Sequence, residues 1–216
     1  CANISSQDDR NSAWQDNNPS SPFYGRSYVT FNDFNIGGGA LRTSHSTDGG
    51  VTWSAGVSIV GSFIRDVQLT GMPNGDLVLA GMDEGGGGAS NRTNKFYRST
   101  DGGTTWTTVT QGSPYPPPGN VNCSGNGYFR VITPQIRHMG WGQPAASTGV
   151  VHYAYATPGY GADDGDIYYV RTPDNGAGWS APLLPHHTLG CLTQWIHTSS
   201  IARRVDVSDP GLAYFR

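Results

Sequence analysis

The residues best suited to chemistry are an arginine, Arg65, and a neighbouring pair of carboxylic acids, Asp83 and Glu84. An arginine guanidinium can hold a ligand carboxylate through two parallel, charge-assisted hydrogen bonds. The two acids precede a run of glycines at 85–88, and a carboxyl group beside such a flexible loop could act as a general acid or base. The alternative for Arg65 is a structural ion pair, and the alternative for the acids is a solvated loop.

Acidic residues also offer a possible calcium site. Asp163, Asp164 and Asp166 could present carboxylate oxygens to Ca²⁺, but the full calcium-binding loop and its terminal glutamate are absent. An ordinary acidic turn is the alternative. The histidines and cysteine within 186–197 match no standard zinc spacing. Beyond the weak calcium candidate, the sequence therefore predicts no metal centre and no cofactor.

The three cysteines leave several pairings open. Cys123 and Cys191 lie in loop-like segments that bracket residues 128–182, which favours a disulfide between them with Cys1 apart. Three free thiols are the alternative. A first residue of Cys1 suits a processed bacterial lipoprotein, and a boundary of the sequence is the alternative.

An eight-residue sequence motif occurs in three copies, and it indicates the secondary structure that must position these residues. It occupies residues 46–53 and 99–106 nearly unchanged and residues 172–179 in a decayed form. Its aspartate can accept backbone N–H groups and its glycines adopt positive φ at little cost, so each copy predicts a hairpin turn. The copies are spaced by about the length of one four-stranded propeller blade with its loops.

The motif resembles the Asp-box, or BNR repeat, of sialidase-like β-propellers. This resemblance implies an all-β fold: a sialidase-like β-propeller of four-stranded antiparallel blades, about three and a half of them in this chain and six in the parent. In that family the Asp-box lies on the outer rim, away from the ligand, so its residues are expected to be structural. Here they are Ser46, Asp48, Gly50, Trp53, Ser99, Asp101, Gly103, Trp106, Asp174, Gly176 and Trp179.

The alternation of apolar and polar residues divides the chain into blades at roughly 9–60, 63–112, 128–182 and a partial one at 194–216. No interdomain linker is evident, so residues 1–216 are interpreted as one incomplete propeller domain. Because a propeller closes its ring to hide its edge strands, the missing blades are expected from a longer parent chain or from other subunits.

The resemblance extends to the region around Arg65, which is similar to the Arg-Ile-Pro segment of sialidases, with Asp66 and Val67 in place of Ile-Pro. The segment around Arg130 resembles the Arg-Ile-Pro segment less closely. The resemblance implies that such arginines hold a substrate carboxylate. If so, Arg65 should project toward the channel mouth with its guanidinium free of structural carboxylates, and strand alternation should send Asp66 to the opposite face.

Sialidases also use an aspartate acid/base on a loop and a Tyr–Glu nucleophile. Asp83 and Glu84 are the candidates for the aspartate acid/base, and no Tyr–Glu pair can be assigned in this sequence.

Composition and net charge exclude some classes of function. A net charge of −3 argues against a nucleic-acid surface, and no apolar stretch reaches membrane-spanning length. We expect an extracellular or cell-surface propeller that recognises a glycan or glycoconjugate, in a binding or adhesion role. The alternative is a fragment of a sialidase-like exo-glycoside hydrolase, so whether the protein is an enzyme stays open.

Overall fold

The computed structural model describes residues 8–109, 112–119, 121–123, 126–131, 141–159 and 164–183. Within these ranges the regular structure consists of β-strands, arranged in antiparallel sheets of consecutive strands. The same part of the chain holds no helix long and apolar enough to cross a bilayer. The predicted all-β fold of four-stranded antiparallel sheets is confirmed.

The first blade is a sheet whose strands follow one another in chain order and pair antiparallel. Its strands are β1 (Asp8–Gln15), β2 (Ser27–Asp33), β3 (Ala40–Ser46) and β4 (Val57–Val60). The repeated turn and a short irregular segment occupy residues 47–56 between β3 and β4.

The second blade repeats this order and contains the most deeply buried strand of the described chain. Its strands are β5 (Arg65–Gly71), β6 (Leu77–Asp83), β7 (Thr93–Ser99) and the short β8 (Thr107–Thr108). Six of the seven residues of β6 are buried, because both faces of this strand are covered by neighbouring blades.

A two-stranded sheet of β9 (Val121–Cys123) and β10 (Asn126–Val131) precedes the third blade. The third blade contains β11 (Gln143–Ser147), β12 (Val150–Thr157) and β13 (Asp166–Thr172), in that order. An isolated bridge between Tyr169 and Leu183 takes the place of its fourth strand. The predicted partial blade at 194–216 lies outside the described residues.

The blades pack face to face, with the first strand of each on the inside. Strand β5 contacts both β1 and β11, as inner strands of adjacent propeller blades do. The apolar core lies between the blades: one cluster joins Tyr28 and Leu41 of the first blade to Leu77 and Leu79 of the second. A second cluster joins the second blade to the third, where Phe96 meets Tyr153.

Every blade thus has two ends. We call the upper face the end at which β1, β5 and β11 begin and at which the loops after β2, β6 and β12 lie. The repeated turns, which join the third strand of each blade to its fourth segment, lie at the lower ends of the sheets.

The repeated turns are closed by side-chain hydrogen bonds. In the first copy the Ser46 hydroxyl donates to Asp48 Oδ1 at 2.8 Å and accepts from the Gly50 amide at 2.9 Å. The Thr52 amide and hydroxyl donate to the Asp48 carboxylate at 2.9 and 2.5 Å. The Trp53 indole donates to the Gly50 carbonyl at 3.1 Å.

The other two copies reproduce this arrangement with their own residues. The hydroxyls of Ser99 and Thr172 donate to Asp101 and Asp174 at 2.8 and 2.5 Å. The decayed copy uses its tryptophan differently: Trp179 stacks on Phe96 of the second blade with ring centroids 3.7 Å apart. The third turn therefore also fastens two blades together.

Candidate functional site

The candidate site lies on the upper face of the second blade, where three elements converge. Arg65 begins β5, Glu84 follows β6, and Arg92 precedes β7. The pairing of Arg65 with Met82 across β5 and β6 places the start of one strand beside the end of the other. Antiparallel pairing therefore brings together residues that the sequence separates.

Arg65 is engaged in a buried ion pair. Its Nε lies 2.5 Å from Glu84 Oε2, and the side chains are 8 % and 6 % exposed. The guanidinium also lies over the ring of Phe63, with 4.8 Å between Cζ and the ring centroid. The expectation that Arg65 is free of structural carboxylates is therefore wrong, because the end of β6 delivers Glu84 to it.

Asp66 is held in a strained conformation next to this pair. Its φ of 51° lies in the left-handed region, and the pairing of β5 with β6 shifts register between Arg65 and Gln68. Gln68 Nε2 donates to Asp66 Oδ1 at 3.2 Å. Burial alternates only at the start of the strand, where Arg65 and Val67 are buried while Asp66 and Gln68 are half-buried. Backbone strain of this kind is concentrated at functional sites.

A buried polar network lies beneath the site. Arg92 is 1 % exposed and donates from NH2 to the Gly88 carbonyl at 2.8 Å. The Tyr115 hydroxyl donates to Asn94 Oδ1 at 2.6 Å, and burial raises the pKa of Tyr115 well above its ordinary value, which keeps this donor protonated. The glycine-rich loop, expected to be flexible, is thus tied to the blade at Gly88.

The segment 112–119 connects the second and third blades along this face. The Arg92 amide donates to the Tyr115 carbonyl at 2.8 Å, and the Tyr115 amide donates back at 2.9 Å. Thr157 Oγ1 donates to the Pro116 carbonyl at 2.9 Å, and the Gly119 amide donates to the Asp164 carbonyl at 2.5 Å. The segment therefore bonds to the upper loops of both blades.

The two acid/base candidates have different surroundings. The Asp83 side chain is 46 % exposed, lies 3.8 Å from Lys95 Nζ, and accepts the Gly85 amide at 3.0 Å through Oδ1. Glu84, by contrast, is buried against Arg65. Asp83 is thus the acid open to solvent, and Glu84 is the one that positions a cation.

A pair of phenylalanines lies on the blade 1 side of Arg65. Phe34, in the loop after β2, is 39 % exposed and contacts Phe63 with ring centroids 5.4 Å apart. We call Phe34 and Phe63 the aromatic platform.

Sequence reasoning did not single out these rings, nor Asp66 and Arg92 as functional residues. A local signal exists only for Asp66, since aspartate tolerates positive φ better than most residues.

The remaining predicted site residues lie elsewhere. Arg130 is on β10, whose sheet is separate from the inner strand β11, and it pairs there with Asn122. Asp166 accepts the Ile167 amide at 2.8 Å through Oδ1, while Asp163 lies outside the described residues. Across the described part of the chain, no group of three or more metal-ligating side chains is assembled.

The histidines of 186–197, with Cys1 and Cys191, lie outside the described residues, so the disulfide stays a prediction.

The aspartates of the repeated turns do not contribute to this site. Asp48, Asp101 and Asp174 accept hydrogen bonds within their own turns at the lower ends of the sheets, away from Arg65 and the loop after β6. Their carboxylates therefore close hairpins.

The fold is shared with glycoside hydrolases. A GH93 α-L-arabinofuranosidase of Fusarium graminearum superposes with a TM-score of 0.53 at 15 % identity, covering 84 % of this chain and 49 % of that one. An α-L-arabinanase of Penicillium chrysogenum gives 0.55 at 18 %, covering 86 % and 51 %. A Hadza microbial sialidase gives 0.50 at 15 %, covering 80 % and 32 %.

These likenesses establish a β-propeller fold of the glycoside-hydrolase type. The chain spans about half the length of the arabinofuranosidase and the arabinanase. No protein-family model matches the sequence, and comparison with curated proteins gives no match.

Proposed function

We propose that this chain is part of an extracellular or cell-surface β-propeller that recognises glycans on its upper face. The observation that carries the proposal is the strained Asp66 beside the buried Arg65–Glu84 pair, at the start of the inner strand β5. A carboxylate and ordered amide-rich loops can bind sugar hydroxyls through directional hydrogen bonds. The glycosidase-type fold supports the assignment by analogy.

We further assign the three repeated turns to the Asp-box type, with a structural role. Their hydrogen bonds join the serine or threonine, the aspartate and the following backbone in the same way in every copy. The remaining blades would come from a longer parent chain or from other subunits, because an open propeller leaves sheet edges unpaired.

Glycan binding is tested with an immobilised glycan array and titration of the best binder. We expect Asp66→Asn to weaken binding by about tenfold or more, since it removes a charged acceptor without changing the size of the side chain. Asp48→Asn, at the lower end of its blade, is the matched control and should bind as wild type does. An array without any bound glycan, or equal losses in both variants, would refute the proposal.

A second candidate is glycoside hydrolysis, favoured by the solvent-open carboxyl of Asp83 at the upper end of β6. One acid could donate a proton to the leaving oxygen while a second carboxylate assists attack at the sugar carbon. The arabinofuranosidase and arabinanase suggest a p-nitrophenyl α-L-arabinofuranoside as the first substrate to try. Release of nitrophenol that is abolished in Asp66→Asn and in Asp83→Asn would support catalysis, whereas release unchanged by either substitution would exclude these residues.

A further inference from the structure

We infer that the upper-face site binds an uncharged sugar, which stacks on the aromatic platform of Phe34 and Phe63, and not the carboxylate of an acidic sugar. This inference rests on the proposed glycan-binding function and specifies the class of glycan. It departs from the expectation attached to Arg65, whose position resembles that of a carboxylate-binding arginine.

The platform offers the partly exposed ring that a sugar needs. Phe34 is 39 % exposed, and Ile36 in the same loop is 43 % exposed, so an apolar surface faces solvent next to the polar site. Phe63 contacts Phe34 and itself lies against the Arg65 guanidinium. The C–H face of a pyranose or furanose ring can pack on such a ring while its hydroxyls reach the polar groups beside it.

Two glycines let the loop that carries Phe34 pack closely against its neighbours. A side chain at Gly37 would lie 2.4 Å from the Gly61 carbonyl oxygen, and one at Gly39 would lie 3.0 Å from the Phe63 ring and 3.1 Å from the Phe34 ring. Gly37 and Gly39 have positive φ, at 58° and 119°, and so does the intervening Gly38, at 75°. The loop after β2 thus packs closely on the connection from β4 to β5, which preorganises the rings.

The cations of this face already have partners. Arg42 Nη1 lies 2.9 Å from Asp33 Oδ2, Arg65 Nε lies 2.5 Å from Glu84 Oε2, and Lys95 Nζ lies 3.8 Å from Asp83 Oδ2. The fourth cation, Arg92, donates to the Gly88 carbonyl. The described part of the upper face also carries Asp66 and Asp164, so its carboxylates outnumber its cations.

This charge balance selects against acidic ligands. A sugar carboxylate would have to displace Glu84 from Arg65 or approach Asp66 directly, and like charges at close range repel. An uncharged sugar meets neither obstacle, and it can accept from or donate to the same groups. The geometry therefore favours hydroxyl recognition on an aromatic surface over carboxylate capture.

The test compares a neutral glycan with its sialylated form on the same array and by titration. Arabinobiose, lactose and 3′-sialyllactose are the probes, and wild type should bind a neutral probe with no gain from sialylation. Phe34→Ala should weaken that binding by about tenfold or more, while Phe34→Trp should retain it because the ring face remains.

Tyr24→Ala is the matched control. Tyr24 is also exposed, at 61 %, but it lies in the loop between β1 and β2 at the other end of the blade. It should leave binding unchanged. Phe34→Leu serves as a second variant that keeps the apolar contact with Phe63, and thermal unfolding of each variant verifies that it folds.

The outcomes separate the two proposals. Binding that requires the sialic acid, or that survives Phe34→Ala and Phe34→Leu undiminished, overturns the neutral-sugar inference and leaves glycan recognition standing. Binding to no probe on the array overturns both. Neutral binding lost with Phe34→Ala and kept with Tyr24→Ala supports both.

Discussion

At the scale of single residues, the ion pair of Arg65 and Glu84 dominates the candidate site. Each side chain is largely removed from water, so each depends on the other for compensation of its charge. The sequence left a structural ion pair open for Arg65 but did not identify its partner. A sequence shows that two charged residues exist, but only the register of β5 against β6 decides that they meet.

We expect Arg65→Ala to lower the free energy of unfolding by about 3–5 kcal/mol, because it leaves Glu84 buried without its partner. Urea denaturation measures the change. The double substitution Arg65→Met with Glu84→Leu should be less damaging than Arg65→Ala alone. Arg98→Ala, which breaks an ion pair whose arginine side chain is 25 % exposed, is the control with a smaller loss. Equal losses for Arg65→Ala and Arg98→Ala would contradict this account.

Asp66 combines a left-handed backbone conformation with a place in the proposed glycan site. We expect Asp66→Gly to raise the free energy of unfolding by up to about 1 kcal/mol, since glycine adopts a φ of 51° without a side-chain clash. The same substitution should abolish glycan binding. Asn175→Gly relieves a similar φ of 56° in a lower turn and should stabilise without affecting binding. A destabilised Asp66→Gly protein would show that the side chain compensates for its own strain.

At the scale of elements, the repeated turns were the most predictable part of the molecule. The side-chain hydrogen bonds that close them join residues at most four positions apart, so the sequence contains that interaction. The bonds from Arg26 to the Gly102 carbonyl and from the Asn175 amide to the Gly149 carbonyl are the long-range additions. The aromatic platform is the opposite case. It joins loops of two blades across the space left by Gly37 and Gly39, and no local pattern records that contact.

The turns should also contribute to acid stability. Hydrogen bonds from the Thr52 hydroxyl and amide and from the Ser46 hydroxyl lower the pKa of Asp48 from 3.8 to about 2. Because the pKa is lower in the folded chain, the stability that Asp48 contributes is complete above about pH 4 and is lost as the pH falls toward 2.

Thermal unfolding between pH 5 and pH 2 checks this, and Asp48→Asn should show a flatter decline than wild type. NMR titration of the Asp48 carboxyl carbon gives the midpoint directly. A midpoint near 3.8 would mean that the turn does not hold its aspartate as the structure indicates.

At the scale of the whole molecule, the blades fit together through close contacts between inner strands. A side chain at Gly71, the last residue of β5, would lie 2.2 Å from the indole of Trp14 on β1. We expect Gly71→Ala to lower the free energy of unfolding by about 1–3 kcal/mol, because the Trp14 ring of the neighbouring blade must shift. Gly61→Ala, where no atom lies within 4 Å, is the control measured alongside it by denaturation. Similar values for both would contradict close packing of the two blades.

The segment 112–119 has a kinetic consequence. Although this segment is a loop rich in proline, the amides of Tyr115 and Arg92 each donate to the carbonyl of the other residue, and Tyr115 itself is buried. Amide protons held in this way exchange with deuterium only when the surrounding structure opens. Both amide protons should therefore exchange as slowly as those of β6. A sugar bound on the upper face should slow exchange in the loop after β6 and in the loop after β12 together, because segment 112–119 bonds to both.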